Sequence, residues 1–352
     1  MPTPARLATA GSVALLAAIP AALALSAPAP TVSTPIATGL AQPLQLAVHH
    51  GDVLIAQGSG TLTRIGADGT RTNIRIPNLD GLDARGGGAV VTTRAGNQET
   101  VTGSVLWRVK ADGTRRRVAD LLAYEKRTNP DKVNTYGFTS IPADCAAKVP
   151  KADGPATYTG QIDSNPFAVL VRGSRTFVAD AGANAILAVS GTGRVRTVAV
   201  LPPQPTVITK AGAKALKLPA CAVGLTYNFE PVPTDVEAGP GNTLYVTTLP
   251  GGPEGPELGA RGAVHRVNAV TGAVHTVGRG FLGATGVAVG PRGRVYVAEL
   301  FANRISTPGA HGPVTVAKVS SPSGLEYASG RLYVTYDVFR NGSLATVGPI
   351  AR

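Results

Sequence analysis

Several residue types are scarce in this chain of 352 residues, and each scarcity excludes a class of protein. The chain has two cysteines and five histidines, and neither a Cys-rich motif nor H-E-x-x-H is present. It also lacks a G-x-S-x-G nucleophile motif, a Walker loop and an EF-hand. A single tryptophan and the lack of a basic–aromatic motif do not indicate nucleic-acid recognition. The sequence therefore predicts no metal motif and no nucleic-acid partner, and it leans away from an enzyme.

Long apolar segments are also scarce, and the one that exists is at the N-terminus. Arg6 precedes an Ala/Leu-rich run at 13–25, and Ala22-Leu23-Ala24 is a suitable cleavage site. We interpret residues 1–24 as a signal peptide. A membrane anchor is the alternative, but Pro20 interrupts a run already too short for about 30 Å of hydrocarbon. We expect a secreted, extracytoplasmic protein whose mature chain has no transmembrane segment.

The two cysteines and the charge agree with export. Outside the cytoplasm a disulfide persists, and we predict a bridge between Cys145 and Cys221, with two free buried thiols as the alternative. The net charge of +12 favours an anionic partner, such as an envelope polymer, a lipid headgroup or an acidic small molecule. Solubility alone is the other explanation of this charge.

Helical periodicity is scarce, and short alternating runs separated by Gly, Asn, Asp and Pro dominate. The phrase "LTRIGADGTRTNI" returns as "LWRVKADGTRRRV" and, more loosely, as "LAVSGTGRVRTV", each with the Gly that a tight hairpin requires. A second hairpin precedes each copy, as in "NPFAVLVRGSRTFVAD" and "GATGVAVGPRGRVYVAE". Each unit therefore has four strands. Six units begin near Gln42, Gly81, Asn165, Val232, Gly283 and Ser321.

Tandem four-stranded units without intervening helices are typical of a β-propeller. The last unit ends before its fourth strand, whereas "PTVSTPIATGL" near the N-terminus resembles such a strand. We predict an all-β, six-bladed propeller over residues 30–352. Its ring is closed by the N-terminal strand, which completes the last blade.

Three long insertions interrupt the repeat, at 122–163, 203–231 and 250–261. Because strands alternate in direction within a blade, all three should lie on one face. Cys145 is in the first insertion and Cys221 in the second, so their bridge would join the two into a cap. Long ordered loops on a rigid scaffold usually carry function, and the aromatic residues of these insertions argue against low-complexity padding.

An acid followed four positions later by Asn ends the second strand of two units. The pairs are Asp180 with Asn184 and Glu299 with Asn303. Other units lack the acid, and short polar side chains here can bind turn amides. We predict that the pairs fasten the repeat and that they are not a site in themselves.

Four segments resemble the ScyD/ScyE family of exported propellers. They are "YEKRTNPD", "DSNPFAVLV", "VPTDVEAGPGNTLYVT" and "GATGVAVGPRGRVYVAEL", and the similarity covers nearly all of the mature chain. The resemblance implies a six-bladed fold of the NHL/TolB-like type, and it implies no particular reaction.

Two functions follow as expectations. The first is a monomeric extracytoplasmic module that binds a protein or another ligand without catalysis or a cofactor, on the face bearing the insertions. The second is a metal-dependent hydrolase similar to gluconolactonase-like and paraoxonase-like propellers, in which calcium would suit oxygen ligands. The candidate ligand residues are Asp163, Asn165, Asp235 and Glu299. They come from different units, so their spacing in the sequence does not show whether they meet. The Asn-Gly and Asp-Gly elements typical of those hydrolases are absent, which favours the binding module.

Overall fold

The computed structural model describes residues 30–97, 100–150, 155–253, 255 and 257–350. The expected signal peptide, residues 1–24, lies outside the described residues. None of the helices in the described ranges has the length and apolar character needed to span a bilayer.

The first half of the chain forms strands β1 to β12 and two helices. Helix α1 spans Leu121–Thr128 and helix α2 spans Ala143–Ala146. The strands are β1 (Thr31–Val32), β2 (Ala37–Leu40), β3 (Pro43–His49), β4 (Asp52–Gln57), β5 (Thr61–Ile65), β6 (Arg71–Arg75), β7 (Leu79–Arg85), β8 (Gly88–Gly96), β9 (Val101–Val109), β10 (Arg115–Asp120), β11 (Thr135–Phe138) and β12 (Thr157–Thr159).

The second half adds seventeen strands in the described residues and helix α3 (Lys210–Ala215). The strands are β13 (Pro166–Arg172), β14 (Arg175–Asp180), β15 (Ala185–Val189), β16 (Val195–Val200), β17 (Gln204–Val207), β18 (Thr226–Phe229), β19 (Pro233–Ala238), β20 (Thr243–Thr248), β21 (Gly262–Asn268), β22 (Val274–Phe281), β23 (Ala284–Val289), β24 (Val295–Glu299), β25 (Arg304–Thr307), β26 (Val314–Lys318), β27 (Leu325–Ala328), β28 (Arg331–Tyr336) and β29 (Gly342–Gly348).

These strands pair into seven antiparallel sheets within the described ranges. Sheets 1 to 5 are β3–β6, β7–β10, β13–β16, β19–β22 and β23–β26, each with its strands in chain order. Sheet 6 contains β27, β28 and β29 together with β1 and β2 from the N-terminus. The seventh, which we call the cap sheet, has the order β12-β11-β18-β17. The protein is therefore all-β, and the predicted units begin beside the observed first strands, as at Gln42 beside Pro43.

The chain ends meet in sheet 6. Thr31 and Val32 pair with Gly348 and Val347, and Ala37 pairs with Leu344. The N-terminal segment therefore supplies the outer strand that the C-terminal repeat lacks.

Hydrophobic side chains fill the space between successive sheets. Clusters join sheets 1 and 2, 2 and 3, 3 and 4, 4 and 5, and 5 and 6. A further cluster joins sheet 6 to sheet 1, with Leu344 packed against Leu46 and Ile55. The first strands contact one another in the same order, from β3 through β7, β13, β19, β23 and β27 back to β3. Since burying each such side chain contributes about 1.5–3 kcal/mol, packing between sheets is the main source of stability.

The outer hairpins turn at the glycines that the repeat identified. Gly69, Gly113, Gly193 and Gly272 have φ values of 83°, 84°, 85° and 75°, in the left-handed region that suits glycine. The repeated Gly therefore has a conformational cause, and no chemistry needs to be assigned to it.

Candidate functional site beneath the cap

The cap is built from two insertions that share one sheet. Strands β11 and β12 come from residues 122–163, and β17 and β18 come from residues 203–231. The predicted disulfide between Cys145 and Cys221 is present, with the two Cα atoms 5.9 Å apart. A separate hydrophobic core, which includes Phe138 and Phe229, lies within this unit.

The third insertion, residues 250–261, packs onto the second. Leu258 belongs to the cap core. Gly212 of α3 leaves the space for it, because a Cβ at Gly212 would lie 2.2 Å from Leu258 Cδ2. The Arg261 guanidinium lies 4.4 Å from the centre of the Phe229 ring, a favourable cation–π distance. All three insertions therefore contribute to one cap.

The cap contains a cavity of about 300 Å³. Its lining comes from the first insertion (Val149, Pro155, Ala156), the second (Ala215, Leu216, Lys217, Leu218, Tyr227) and the third (Pro253). Apolar side chains form most of the wall, with the Tyr227 ring and the exposed Lys217 as polar elements. This size and composition are typical of small-molecule sites.

Helix α1 forms the root of the cap and buries an acid. Asp120 caps the helix by accepting a 2.8 Å hydrogen bond from the Ala123 amide. Asn129 ends the helix in the left-handed conformation (φ 38°), with its amide bound to the Glu125 carbonyl. The Glu125 side chain faces inward, and the residue is 1% exposed.

Asp131 connects the root of the cap to sheet 3. Its Oδ2 accepts hydrogen bonds from the Tyr136 hydroxyl at 3.0 Å and from Asn184 Nδ2 at 2.9 Å. Asn184 Nδ2 also donates to Glu230 Oε2 at 3.1 Å, and Glu230 Oε1 accepts from the Tyr158 hydroxyl at 3.0 Å. The side-chain amide of Asn184 thus bridges Asp131 of the first insertion and Glu230 of the second.

Several acceptor atoms at this root have no donor in the part of the chain that the structure describes. They are both carboxylate oxygens of Glu125, Oδ1 of Asn129, Oδ1 of Asp131 and Oδ1 of Asp163. Burial, reinforced by the nearby charges of Asp180, Asp131 and Asp163, raises the pKa of Glu125 to about 9. Burial also raises the pKa of Asp131 to about 6, against the opposing bonds from Asn184 and Tyr136. We call Glu125, Asp131, Asp163 and Glu230 the cap-root acids.

Two of the four residues expected as ligands lie at this root. Asp163 is partly exposed and faces Arg94, whose Nη2 is 3.6 Å from its Oδ1. Asn165 donates its backbone amide to Asp180 Oδ1 at 2.7 Å. Asp180 also accepts from Ser164 Oγ at 2.8 Å and from the Ala183 amide at 3.2 Å, so it binds the turn around it.

Glu299 has an equivalent fastening role in sheet 5. It accepts from the Leu282 amide at 2.8 Å and forms an ion pair with Arg304, whose Nε is 2.6 Å from Oε1. Asn303 Oδ1 accepts from the Ser321 amide at 2.8 Å, as Asn184 Oδ1 accepts from the Val232 amide at 3.0 Å. The acid and Asn pairs therefore fasten loops in both sheets, as predicted.

Asp235, the fourth expected residue, lies among the first strands. Its carboxylate accepts 2.8 Å hydrogen bonds from the Val236 amide and from the Val287 amide of sheet 5. Within the described residues, no hydrogen bond or ion pair joins Asp235 or Glu299 to Asp163 or Asn165. The structure thus brings Asp163 and Asn165 to one place, and their role as ligands remains a prediction.

Further acids lie beside Asp235, and with it they form what we call the inner acids: Asp83, Asp235, Glu237 and Glu326. Asp83, Glu237 and Glu326 occupy the same position in the first strands of sheets 2, 4 and 6. Burial raises the pKa of Glu326 to about 8 and that of Glu237 well above its usual range, and the charge of the neighbouring Glu326 adds to the shift of Glu237. Neighbouring buried carboxyls resist ionising together.

Sequence reasoning missed two sets of functional candidates. Glu125 and Asp131 lie in "YEKRTNPD", which contributed a family resemblance without roles for its residues. Asp83, Glu237 and Glu326 would have emerged from aligning the six first strands, because acids fall at the same position of alternate repeats. Across the described ranges, no three His, Cys, Asp or Glu side chains are grouped closely enough to hold a metal ion.

Comparison with known proteins identifies the fold and not the activity. No protein-family model matches the chain, and no curated protein is significantly similar to it. Many solved structures do match, and those described here are β-propellers.

Three of these structures show the range of activities that share the architecture. A streptogramin B lyase is 13% identical to this chain and has a TM-score of 0.51. The superposition covers 91% of this chain and 98% of the lyase. A putative gluconolactonase is 11% identical and has a TM-score of 0.51, and the superposition covers 90% of this chain and 91% of the gluconolactonase. A PQQ-bound aldose sugar dehydrogenase from Streptomyces coelicolor is 12% identical and has a TM-score of 0.50. The superposition covers 90% of this chain and 97% of the dehydrogenase. At such identities the likeness establishes that this chain has a β-propeller fold and nothing about its chemistry.

Proposed function

We propose that this chain is an exported β-propeller that acts as a monomeric ligand-binding module outside the cytoplasm. The ligand occupies the cavity in the cap. The observation that carries this proposal is the convergence of all three insertions on that cavity. Insertions that served only as loose connections would have no reason to share a hydrophobic core, a disulfide and a cavity lining.

The six sheets are proposed to be the blades of a single closed ring. The cyclic order of contacts among the first strands and the cluster between sheets 6 and 1 support this arrangement. The pairing of β1 and β2 with β29 supports closure by the N-terminal strand. The family resemblance in "YEKRTNPD" and "DSNPFAVLV" points to the same architecture, and we propose membership of the ScyD/ScyE family on these segments.

Export is proposed from the N-terminal sequence and is supported by the disulfide. A bridge between two insertions persists where the surroundings are oxidising, outside the cytoplasm. The residues that carry the export signal, 1–24, are outside the described ranges.

The chemistry of the cavity suggests a ligand with an apolar or aromatic body and an anionic group. Leu216, Leu218 and the Tyr227 ring provide an apolar wall. Lys217 is exposed at the same cavity and can pair with an anion. The net charge of +12 would attract such a ligand from a distance.

The test uses 8-anilinonaphthalene-1-sulfonate, an aromatic anion whose fluorescence reports binding. Lys217→Glu reverses the charge at the cavity, and Lys210→Glu makes the same change in the same insertion outside the lining. We expect Lys217→Glu to weaken binding by about three- to tenfold, since an exposed ion pair contributes up to about 1 kcal/mol and reversal adds repulsion. Ala156→Trp fills the cavity and should weaken binding at least about tenfold.

Near-UV circular dichroism must be unchanged in each variant, because this dye also binds partly unfolded proteins. The proposal fails if the native protein does not bind the dye. It also fails if folded Ala156→Trp binds as tightly as the native protein, or if Lys217→Glu and Lys210→Glu have equal effects.

A metal-dependent hydrolase is the second candidate, and the inner acids are the observation that favours it. Neighbouring buried carboxyls with raised pKa values are typical of acid–base catalysis. The test is hydrolysis of δ-gluconolactone with and without added Ca²⁺. This function requires activity that is lost in Glu326→Gln and retained in Asp144→Asn, which changes an exposed acid of the cap.

A further inference from the structure

The root of the cap buries more hydrogen-bond acceptors than the described protein atoms satisfy. Glu125 and Asp131 are each 1% exposed. Both oxygens of Glu125 and Oδ1 of Asp131 have no hydrogen-bond donor in the described ranges, and neither has Oδ1 of Asn129. An acceptor buried without a partner destabilises a fold by about 1–3 kcal/mol, and a charged one by more. Four such atoms in one short segment therefore point to a missing partner.

The backbone brings these side chains to one place. Asn129 directly follows α1, and its backbone amide donates a 2.7 Å hydrogen bond to the Glu125 carbonyl. The left-handed conformation of Asn129 turns the chain directly into the 3₁₀ helix Pro130–Val133, which carries Asp131. The charge of Asp131 is one of the causes that raise the pKa of Glu125, after burial and the charge of Asp180.

The surrounding contacts fix the orientation of the free oxygens. Asn129 Nδ2 donates to the Gly160 carbonyl at 2.9 Å, which leaves its Oδ1 as the free acceptor. Tyr136 and Asn184 hold Oδ2 of Asp131. Gly160 packs against this carboxylate, because a Cβ there would lie 2.0 Å from Asp131 Oδ1. The free oxygens of Asn129 and Asp131 are thus positioned by bonds that the rest of the cap already makes.

Two basic side chains lie near the cap-root acids, and the buried Nε of one of them, Arg94, has no hydrogen-bond partner among the described residues. Arg94 faces Asp163, and the guanidinium of Arg127 lies 5.4 Å from the centre of the Tyr124 ring. Because Glu125 and Asp131 are each 1% exposed, a partner that reaches them from solvent must be small.

We propose that Glu125, Asn129 and Asp131 bind one Ca²⁺ ion at the root of the cap. Calcium prefers oxygen ligands, accepts carboxylates and amide carbonyls together, and fills remaining positions with water. Two carboxylates also balance its charge. The ion joins the end of α1 to Asp131, which Asn184 and Tyr136 connect to sheet 3 and the cap sheet. This site does not depend on the function proposed for the cap cavity.

The experiment measures metal content and affinity in the full mature protein. The protein is stripped with chelator, dialysed against Ca²⁺, and analysed by elemental analysis and calorimetry. We expect one Ca²⁺ per chain in the native protein and a rise in Tm on adding it. Glu125→Gln should lower the affinity at least about tenfold, since loss of even an outer-sphere partner lowers metal affinity about 10–100-fold.

Two further variants make the result specific. Asp131→Asn keeps an acceptor for Tyr136 and Asn184 but places an amide donor where the free oxygen was, so it should also lose Ca²⁺. Asp144→Asn removes an exposed acid of the same insertion and should bind as the native protein does.

The proposal is overturned if the native protein binds no Ca²⁺, which would mean that Glu125 is held as a neutral acid. It is also overturned if folded Glu125→Gln or Asp131→Asn retains native affinity, or if Mg²⁺ binds more tightly than Ca²⁺. Dye binding in the cap cavity is measured on the same samples, so failure of this site and failure of the cavity are distinguished.

Discussion

The cap-root acids and the inner acids are both groups of carboxyls in a basic protein, but their partners differ. Among the inner acids, Asp235 accepts backbone amides from two sheets, and Asp83 accepts the amides of Ala84 and Val171. At the cap root, Glu125 has no hydrogen-bond donor among the described residues. The first strands supply backbone amides that satisfy their acids, whereas the insertion brings acids into a place without matching donors. Acids that the protein satisfies by itself hold strands together, and acids left without donors indicate a ligand.

The largest expected effect comes from separating the two halves of the cap. Cys145→Ser with Cys221→Ser should lower the free energy of unfolding by about 2–5 kcal/mol, since the bridge closes a long loop. Hydrogen exchange should accelerate at cap-sheet amides such as Phe138 and remain slow at Val287, which Asp235 binds. The Ser pair is compared with the native protein in the absence of reductant. Equal acceleration in both places would show that the cap and the sheets unfold as one unit.

A smaller effect isolates the amide that connects the cap-root acids. Asn184→Gly removes the donor to Asp131 and Glu230, and Asn303→Gly is the matched control. Both residues have positive φ (50° and 53°) and both accept a loop amide, but only Asn184 binds acids. We expect Asn184→Gly to cost about 1–3 kcal/mol more in chemical denaturation, because it leaves two acids with fewer donors. Equal costs would mean that Asn184 only fastens its loop.

The smallest expected effect is the pH dependence that the inner acids contribute. The pKa of Glu326 is about 8 in the folded chain, above its ordinary value, because of burial and the charges of Asp83 and Asp235. At pH values between the ordinary pKa of a glutamate and about 8, Glu326 holds a proton in the folded state and releases it in the unfolded state. This contribution to stability is therefore complete at low pH and is lost as the pH rises through about 8.

Thermal unfolding at pH 6 and pH 9 measures this contribution. We expect a loss of about 1 kcal/mol, because the side chains are only half-buried and solvent reduces the penalty. Glu326→Gln, which needs no proton, should show a shallower dependence than Asp144→Asn. Identical profiles would show that the carboxyl pair does not hold a proton.

The sequence by itself determined the repeating architecture. Hairpin glycines such as Gly69 and Gly113 recur because a tight turn requires a positive φ. A constraint of this kind acts on neighbouring residues, so it can be recognised in the sequence alone. The sequence also predicted that the N-terminal strand completes the last sheet, because the last repeat lacks its fourth strand and an unpaired sheet edge needs a partner. The expectation of export, together with a count of two cysteines, was enough to predict the bridge between Cys145 and Cys221.

Only the tertiary structure decided which polar residues lack partners. Asp163, Asp235 and Glu299 are all acids at the ends or starts of strands, and the sequence could not separate them. In the fold, Glu299 is paired with Arg304, Asp235 is bound by amides, and Asp163 faces Arg94. Glu125 was unremarkable in the sequence because its isolation depends on the insertion that closes over it. Whether an acid is satisfied depends on donors contributed by distant segments, and that is a property of the packed chain.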